Sequence, residues 1–103
     1  MARQPNTDRN GNSFSQDTIR AVWDKGIYTN SYNHPPDQFR RDKCGELIEY
    51  RFYGNRDSTN GWEVDHINPV ANGGTDDLSN LQPLYWLNNA RKADKLNWVC
   101  GQV

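Results

Sequence analysis

The sequence predicts a small α+β domain, in which an N-terminal helix and one strand precede a unit of two strands and a helix. Three observations predict it: the chain has only 103 residues, a helical apolar pattern occurs early, and short β-type segments follow. Only 34% of the residues are apolar, and four tryptophans and five tyrosines supply much of the area that can be buried. We therefore expect one thin core built largely from aromatic side chains.

The N-terminal part of the chain changes character near residue 13. Residues 1–12 are polar, rich in asparagine and without an apolar period, and they predict a disordered tail. Residues 13–103 predict a single domain that begins with a helix, which Ser13 or Ser15 can cap. The apolar positions at helical spacing are Ile19, Val22 and Trp23. A lysine-glycine pair at residues 25–26 predicts the end of this helix.

The middle of the chain predicts a loop, a helical turn and two strands. Residues 27–37 contain a Pro-Pro pair and no period, which indicates a connecting loop. Residues 38–43 predict a helical turn, and residues 47–53, with β-favouring types, predict a strand. A second strand is predicted for residues 62–67, and Pro69 must terminate it.

The last third predicts a bend, a short extended segment and a helix. A glycine pair at residues 73–74 indicates the bend. The extended segment covers residues 81–84, and the helix covers residues 85–95. The final elements therefore follow the order strand, polar loop, strand and helix.

The charge balance argues against a protein that coats nucleic acid by bulk electrostatics. The formal net charge is −1, whereas neutralising many phosphates needs an excess of lysine and arginine. Basic residues nevertheless cluster locally, and each cluster is either a basic face or ordinary solvated surface. The clusters are Arg40, Arg41 and Lys43; Arg51 and Arg56; and Arg91, Lys92 and Lys95.

Hydropathy and cysteine usage bear on where the protein resides. The mean hydropathy is −1.06, and no apolar run suits a membrane span or a signal peptide, so we expect a soluble, cytoplasmic protein without a membrane partner. Cys44 and Cys100 form no Cys-x-x-Cys pair, which excludes a four-cysteine zinc site from one chain. Without an export signal we expect two reduced thiols, and a disulfide between them is the alternative.

Four side chains in the last third carry the chemistry: Asp65, His66, Asn80 and Asn89. Carboxylate and carboxamide oxygens bind hard divalent cations, and an imidazole can accept a proton from water near neutral pH. Together they point to hydrolysis of a phosphodiester bond. Neighbours on a regular strand point to opposite faces, so Asp65 and His66 can share one site only if the strand distorts. We expect His66 at or past the strand end.

The residues around these four resemble the HNH nuclease motif, with its internal spacing kept. The matching stretches are Val64-Asp65-His66-Ile67-Asn68-Pro69, Gly73-Gly74, Asn80-Leu81-Gln82-Pro83-Leu84, Asn89 and Lys92. Weaker likeness to small stand-alone HNH proteins of bacteria and phages extends upstream over most of the chain. The resemblance implies a small ββα-metal finger with its core motif in residues 62–95, an additional N-terminal helix and an extra strand.

The resemblance also implies a role for each residue. In the family, the acidic residue before the histidine and the asparagine on the helix bind the metal, which here means Asp65 and Asn89, with Mg²⁺ or Mn²⁺ as cofactor. His66 matches the general base, and Asn80 matches the asparagine that braces the loop carrying the histidine. The expected products carry 5′-phosphate and 3′-hydroxyl ends.

Basic residues of the last predicted helix are candidates for nucleic-acid contacts. Lys92 shares a helix face with Asn89, so it either reaches a phosphate oxygen beside the metal or is an ordinary solvated residue. Arg91 and Lys95 extend this candidate surface.

Other polar residues have two open interpretations each. Glu63 shares a strand face with Asp65 and either supports the metal ligands from behind or is a surface carboxylate. Asp76 and Asp77 either ligate the metal or, as we expect, cap a turn. His34, placed before a Pro-Pro pair, is expected to be structural or solvent-exposed.

The chain departs from the commonest form of the family, in which paired cysteines hold a structural zinc. Tyr85 and Asn88 occupy the positions of one such pair, so we expect no structural zinc and aromatic packing in its place. The expected function is a metal-dependent HNH endonuclease acting on nucleic acid, with DNA as the expected substrate. The alternative is a catalytically silent nucleic-acid-binding or adaptor subunit of a larger phage or defence assembly; a protein partner or a homodimer stays open.

Overall fold

A computed structural model of the protein describes residues 3–103 and contains two helices and two antiparallel sheets of two strands each. The elements are α1 Gln16–Trp23, β1 Phe39–Arg41, β2 Leu47–Glu49, β3 Trp62–His66, β4 Leu81–Tyr85 and α2 Trp86–Lys92. Short 3₁₀ turns occur at Tyr50–Phe52, Val70–Asn72 and Leu78–Asn80. The architecture is a small mixture of α and β elements.

Helix α1 begins after Ser15, one of the two candidate caps. The Ser15 hydroxyl accepts a hydrogen bond from the backbone N–H of Thr18 at 3.2 Å, which satisfies one free donor of the first turn. Beyond the helix, the chain passes so close to Arg40 that a Cβ on Gly26 would lie 2.8 Å from the Cβ of Arg40. Only glycine fits at that position without a shift of the backbone.

The core is built mainly from aromatic rings. Trp23 and Trp62 are fully buried, with ring centroids 5.1 Å apart, and Tyr50 and Tyr53 pack against them. Each buried indole N–H keeps a hydrogen bond, to Pro36 O and to Tyr50 O respectively, both at 3.1 Å. These bonds remove the penalty that an unpaired indole N–H would carry. The aliphatic members of the core are Ile19, Val22, Ile48, Val64 and Leu81.

The first sheet differs from the prediction in two ways. Residues 38–43 contain strand β1 rather than a helical turn, because Phe39 pairs with Glu49 on β2. The strand predicted for residues 47–53 stops early, and the chain turns into a 3₁₀ helix at Tyr50–Phe52. Both differences arise from pairing between distant segments, which local β propensity does not show.

The second sheet carries the predicted site. Strands β3 and β4 pair one to one, from Trp62 opposite Tyr85 to His66 opposite Leu81. Because side chains alternate along a strand, Trp62 and Val64 face the core. The side chains of Glu63 and Asp65 therefore lie on the other face, where α2 packs.

Residues 3–12 do not form the predicted disordered tail, and residues 1–2 of that prediction lie outside the described residues. The backbone N–H of Val64, on the outer edge of β3, donates to Asn6 Oδ1 at 2.9 Å. A second hydrogen bond joins the segment to Asp76. Composition alone indicated disorder because these partners lie far away in the sequence.

The two cysteines form a disulfide, so the prediction of two reduced thiols is wrong. Cys44 and Cys100 are 56 residues apart in the sequence, and their Cα atoms are 5.5 Å apart. The bond ties the β1–β2 turn to the C-terminal segment, where Trp98 is buried. Spacing could not reveal this pairing because it depends on where the C-terminal segment folds back.

Asp42 joins the same turn to the start of α2. Its carboxylate is buried, and Oδ1 accepts hydrogen bonds from the N–H groups of Cys44 at 2.9 Å and Glu46 at 3.0 Å. Oδ2 accepts from the N–H of Tyr85 at 2.9 Å and from the Asn88 side chain at 3.0 Å. A hydrogen-bonded carboxylate therefore holds Tyr85 and Asn88, in addition to the aromatic packing that the sequence predicted there.

Helix α2 is shorter than the predicted span of residues 85–95. It ends at Lys92, and Ala93 takes a positive φ of 48°, which does not continue the helix. Within residues 3–103, neither helix has the length and apolar character that crossing a membrane requires.

Candidate active site

A cavity of about 300 Å³ lies between the end of β3, helix α2 and the N-terminal segment. Asp65, His66 and Asn89, which are three of the four predicted site residues, line it together. The cavity is also lined by Arg56 and by five residues of the N-terminal segment, Arg3, Gln4, Pro5, Asn6 and Thr7. Elements distant in the sequence therefore converge on one concave site.

Asp65 is held from two sides. It is 5% exposed, its Oδ2 accepts a hydrogen bond from Gln82 Nε2 at 2.8 Å, and its Oδ1 lies 3.2 Å from Lys92 Nζ. Gln82 is its direct partner across the β3–β4 ladder. Burial raises the pKa of the Asp65 carboxyl, and the contacts with Lys92 and Gln82 offset this only in part.

His66 is oriented by a carboxylate. Its Nε2 lies 2.8 Å from Asp76 Oδ1, and the backbone N–H of Arg9 also donates to Asp76, at 3.1 and 3.2 Å. Burial works to raise the pKa of Asp76, but the hydrogen bonds from His66 and Arg9 together bring it below its ordinary value. Asp76 is therefore ionised near neutral pH and accepts the Nε2–H, which leaves Nδ1 as the nitrogen that can take a proton.

Asp65 and His66 reach one cavity without a distorted strand. His66 is the last residue of β3 and pairs with Leu81 in unbroken register, so the two neighbouring side chains leave opposite faces of the strand. The cavity lies along the outer edge of β3, where the N–H of Val64 bonds the N-terminal segment. Side chains from both faces can reach such an edge, and the position of His66 agrees with the predicted strand end.

Asn80 braces the loop that follows His66 and does not line the cavity. Its Oδ1 accepts from the N–H of Asn68 at 2.8 Å, and its Nδ2 donates to Asn68 O at 3.1 Å and Thr75 O at 2.8 Å. The loop packs tightly on itself, because a Cβ on Gly74 would lie 1.7 Å from Asn68 O. The glycine and the asparagine amide together fix the chain between the histidine and its carboxylate partner.

Asn89 is oriented by Glu63. Glu63 is fully buried, and its Oε1 accepts from Asn89 Nδ2 at 2.7 Å. Arg56 donates two hydrogen bonds to Glu63, from Nε at 2.6 Å and from Nη2 at 2.9 Å, and these bonds raise the pKa of Arg56. With its nitrogen fixed on Glu63, the Asn89 amide keeps Oδ1 for another partner. Glu63 is therefore not a surface carboxylate, and it supports Asn89 from the strand face that it shares with Asp65.

Of the three basic residues predicted to contact nucleic acid, Lys92 is buried and the other two are exposed. Lys92 is 2% exposed, and its Nζ donates to His66 O at 2.9 Å and pairs with Asp65. It is therefore not free to contact a phosphate. Arg91 and Lys95 are exposed but do not line the cavity.

The comparison with protein families places the chain in one family. The family model described as HNH endonuclease matches residues 42–95, which is just over half of the chain. The chain belongs to the HNH endonuclease family. All four predicted site residues lie within the matched part, whereas the lining residues of the N-terminal segment, Arg3 to Thr7, lie outside it. Neither the search of curated proteins nor the search of solved structures gives a match.

The donor set of this HNH site fits a divalent cation. HNH nucleases generally use a divalent metal, and Asp65 and Asn89, whose side chains carry hard oxygen donors, both line the cavity. Two protein oxygens leave most of the coordination sphere to water and phosphate, as is usual for Mg²⁺ or Mn²⁺. No cluster of three or more His, Cys, Asp or Glu side chains suited to a metal occurs in residues 3–103.

Three features of the HNH site were not assigned from sequence. Asp76 was expected to cap a turn, Arg56 was one member of a basic cluster, and residues 3–7 belonged to the predicted tail. A usable signal existed only for Asp76, because a carboxylate inside the loop between His66 and Asn80 is a natural partner for the imidazole.

Proposed function

We propose that this HNH protein is a divalent-metal-dependent endonuclease that hydrolyses phosphodiester bonds, with DNA as its substrate. One observation carries the proposal: Asp65 and His66 from β3 and Asn89 from α2 line the same cavity. A carboxylate, an imidazole and a carboxamide at one site are the groups that metal-assisted hydrolysis requires.

His66 is the proposed general base. With its Nε2–H donated to Asp76, Nδ1 takes the proton of the attacking water. The carboxylate of Asp76 stabilises the imidazolium that results and keeps the ring from rotating. A positioned general base contributes about 10²- to 10⁴-fold to the rate.

Asp65 and Asn89 are the proposed metal ligands. A divalent ion held there would supply Lewis-acid chemistry for phosphodiester hydrolysis, with 5′-phosphate and 3′-hydroxyl ends as the expected products. Gln82 fixes one oxygen of Asp65, and Glu63 fixes the Asn89 amide. These supporting contacts preorganise both donors before substrate binds.

Two guanidinium groups are the proposed phosphate contacts, in place of Lys92. Arg3 and Arg56 both line the cavity, and Arg56 is held in place by Glu63. Guanidinium groups on a cavity wall attract and orient phosphate oxygens. Arg91 and Lys95 are exposed on and after α2 and are proposed to contact flanking phosphates. A net charge of −1 implies a small, salt-sensitive footprint.

A plasmid-nicking assay with Mg²⁺ or Mn²⁺ tests this function. His66→Ala should lower the nicking rate by about 10²- to 10⁴-fold, because water then loses its proton acceptor. The nicks should be resealed by DNA ligase, which requires 5′-phosphate and 3′-hydroxyl ends. Circular dichroism verifies that each variant is folded.

His34→Ala is the matched control, because the other histidine lies outside the cavity. His34 bonds Ser31 and packs against Phe39 with ring centroids 4.8 Å apart. Its replacement should leave the nicking rate unchanged. A wild-type rate in His66→Ala would contradict the proposal, and nucleic-acid binding without any cutting would instead support the silent adaptor subunit.

A further inference from the structure

Lys92 is a buried cation with two partners at the site. It is 2% exposed, whereas lysine is normally solvated, since removing an ammonium from water is costly unless it is paired. Its Nζ lies 3.2 Å from Asp65 Oδ1 and donates to His66 O at 2.9 Å. One side chain on α2 therefore contacts both members of the Asp65-His66 pair on β3.

The two contacts act on different parts of the site. The ion pair with Asp65 places a fixed positive charge beside a proposed metal ligand. The hydrogen bond to His66 O restrains the backbone at the residue that carries the proposed base. An ammonium has three donors, so Lys92 can serve both groups at once.

The ion pair has a consequence for metal binding. A divalent cation bound to Asp65 shares that carboxylate with the ammonium, and the two positive charges repel each other. In a partly buried site with an effective dielectric constant of about 20, a unit charge a few ångströms away changes a binding constant by more than tenfold. Lys92 must therefore weaken the affinity of this site for the metal.

We propose that Lys92 is a positioning residue and an internal counter-cation: it holds Asp65 and His66 in place and at the same time limits the affinity of the site for a divalent ion. This inference rests on the proposed function. It differs from a merely structural role, which would change stability without changing the affinity of the folded protein for metal.

Two variants separate the charge from the hydrogen bond. Lys92→Met removes both, and Lys92→Gln removes the charge but keeps an N–H donor. Titration with MnCl₂ by calorimetry, without nucleic acid, should give a Kd at least about tenfold lower in both variants than in the wild type. Nicking at saturating Mn²⁺ should fall by about 10- to 100-fold in Lys92→Met and by less in Lys92→Gln.

Lys25→Met is the matched control for the loss of a lysine bound to backbone oxygens. Lys25 Nζ donates to Leu78 O at 2.7 Å and to Leu81 O, and it forms no ion pair within residues 3–103. Its replacement should leave both the Kd for Mn²⁺ and the nicking rate unchanged.

A measurement on the wild-type protein keeps the inference testable if both Lys92 variants fail to fold. In a Mg²⁺ titration followed by nitrogen NMR, the Lys92 Nζ resonance should shift as Asp65 engages the ion. An unshifted resonance at saturating Mg²⁺, or an unchanged or higher Kd in folded variants, would overturn the role of Lys92 alone. A wild-type protein that neither binds Mn²⁺ nor nicks DNA would contradict the proposed function and, with it, this inference.

Discussion

Two buried aspartates in two regions of the molecule behave differently. Asp42, in the β1–β2 turn, is 1% exposed, and its carboxylate accepts four hydrogen bonds from uncharged donors. Asp65, at the end of β3, is 5% exposed and has two partners, one of them the charged Lys92. Asp65 also lines the cavity of the candidate site, and Asp42 does not. Burial alone therefore does not separate a structural carboxylate from a functional one.

The difference lies in how fully each carboxylate is satisfied within the protein. The donors to Asp42 come from its own turn and from the start of α2, so its bonding capacity is used to join these two segments. Asp65 has one partner on each oxygen, which leaves acceptor capacity for a ligand from the cavity that it lines, and burial raises its pKa. The Asp65 carboxylate therefore has fewer hydrogen-bond partners within the protein than the Asp42 carboxylate has.

The largest expected effect that separates the two carboxylates is on activity. Asp65→Asn should lower nicking by about 10³-fold, because removing the charge of this proposed metal ligand would cost several kcal/mol of transition-state stabilisation. The side chain keeps its shape, so the far-ultraviolet circular dichroism spectrum should match the wild type. A variant with full activity would place Asp65 with Asp42 among the structural residues.

Asp42→Ala should have the opposite profile. Four buried donors lose their acceptor, so the free energy of unfolding should fall by about 3 kcal/mol. Urea unfolding measures this loss. The nicking rate per folded molecule, measured well below the melting temperature, should stay within about threefold of the wild type, since a rate change of that size corresponds to less than 1 kcal/mol. A large loss of rate in a folded variant would mean that the β1–β2 turn affects the nicking reaction as well as stability.

The smallest expected effect is that of the disulfide. Replacing both Cys44 and Cys100 with serine should lower the free energy of unfolding by about 2 kcal/mol, the low end of the usual range. Cys100 lies in an exposed segment that Trp98 also anchors, so part of the restraint remains. Thermal unfolding of the oxidised protein, the reduced protein and the variant should give one high and two similar lower midpoints. Equal midpoints in all three would show that the bond adds no stability.

The sequence predicted best what depends on neighbours along the chain. Helix α1 follows from a serine cap and three apolar residues at helical spacing, and His66 lies at the end of β3, where a strand end was expected. Strand β3 is flanked by Gly61 and Pro69, which limit it locally. In each case the physical cause lies within a few residues of its effect.

The remaining features depend on partners far away in the sequence. Strand β1 exists because Phe39 meets Glu49, and the disulfide exists because the C-terminal segment returns to the β1–β2 turn. Lys92 was assigned to phosphate because lysines are normally solvated, yet its place one turn after Asn89 puts it on the buried face of α2. Its position on that face was visible in the sequence, but the carboxylate that pairs with it was not.

The contacts along the outer edge of β3 have a consequence for self-association. Strands in a two-stranded sheet leave a row of N–H and C=O groups that can template pairing with another molecule. Here Gly54 N donates to Trp62 O at 2.8 Å, and Asn6 accepts from the next outward N–H, that of Val64. The N-terminal segment thus covers part of this unpaired strand edge. Proteolytic removal of the residues before α1 would expose the edge and promote aggregation, and it would also open the cavity.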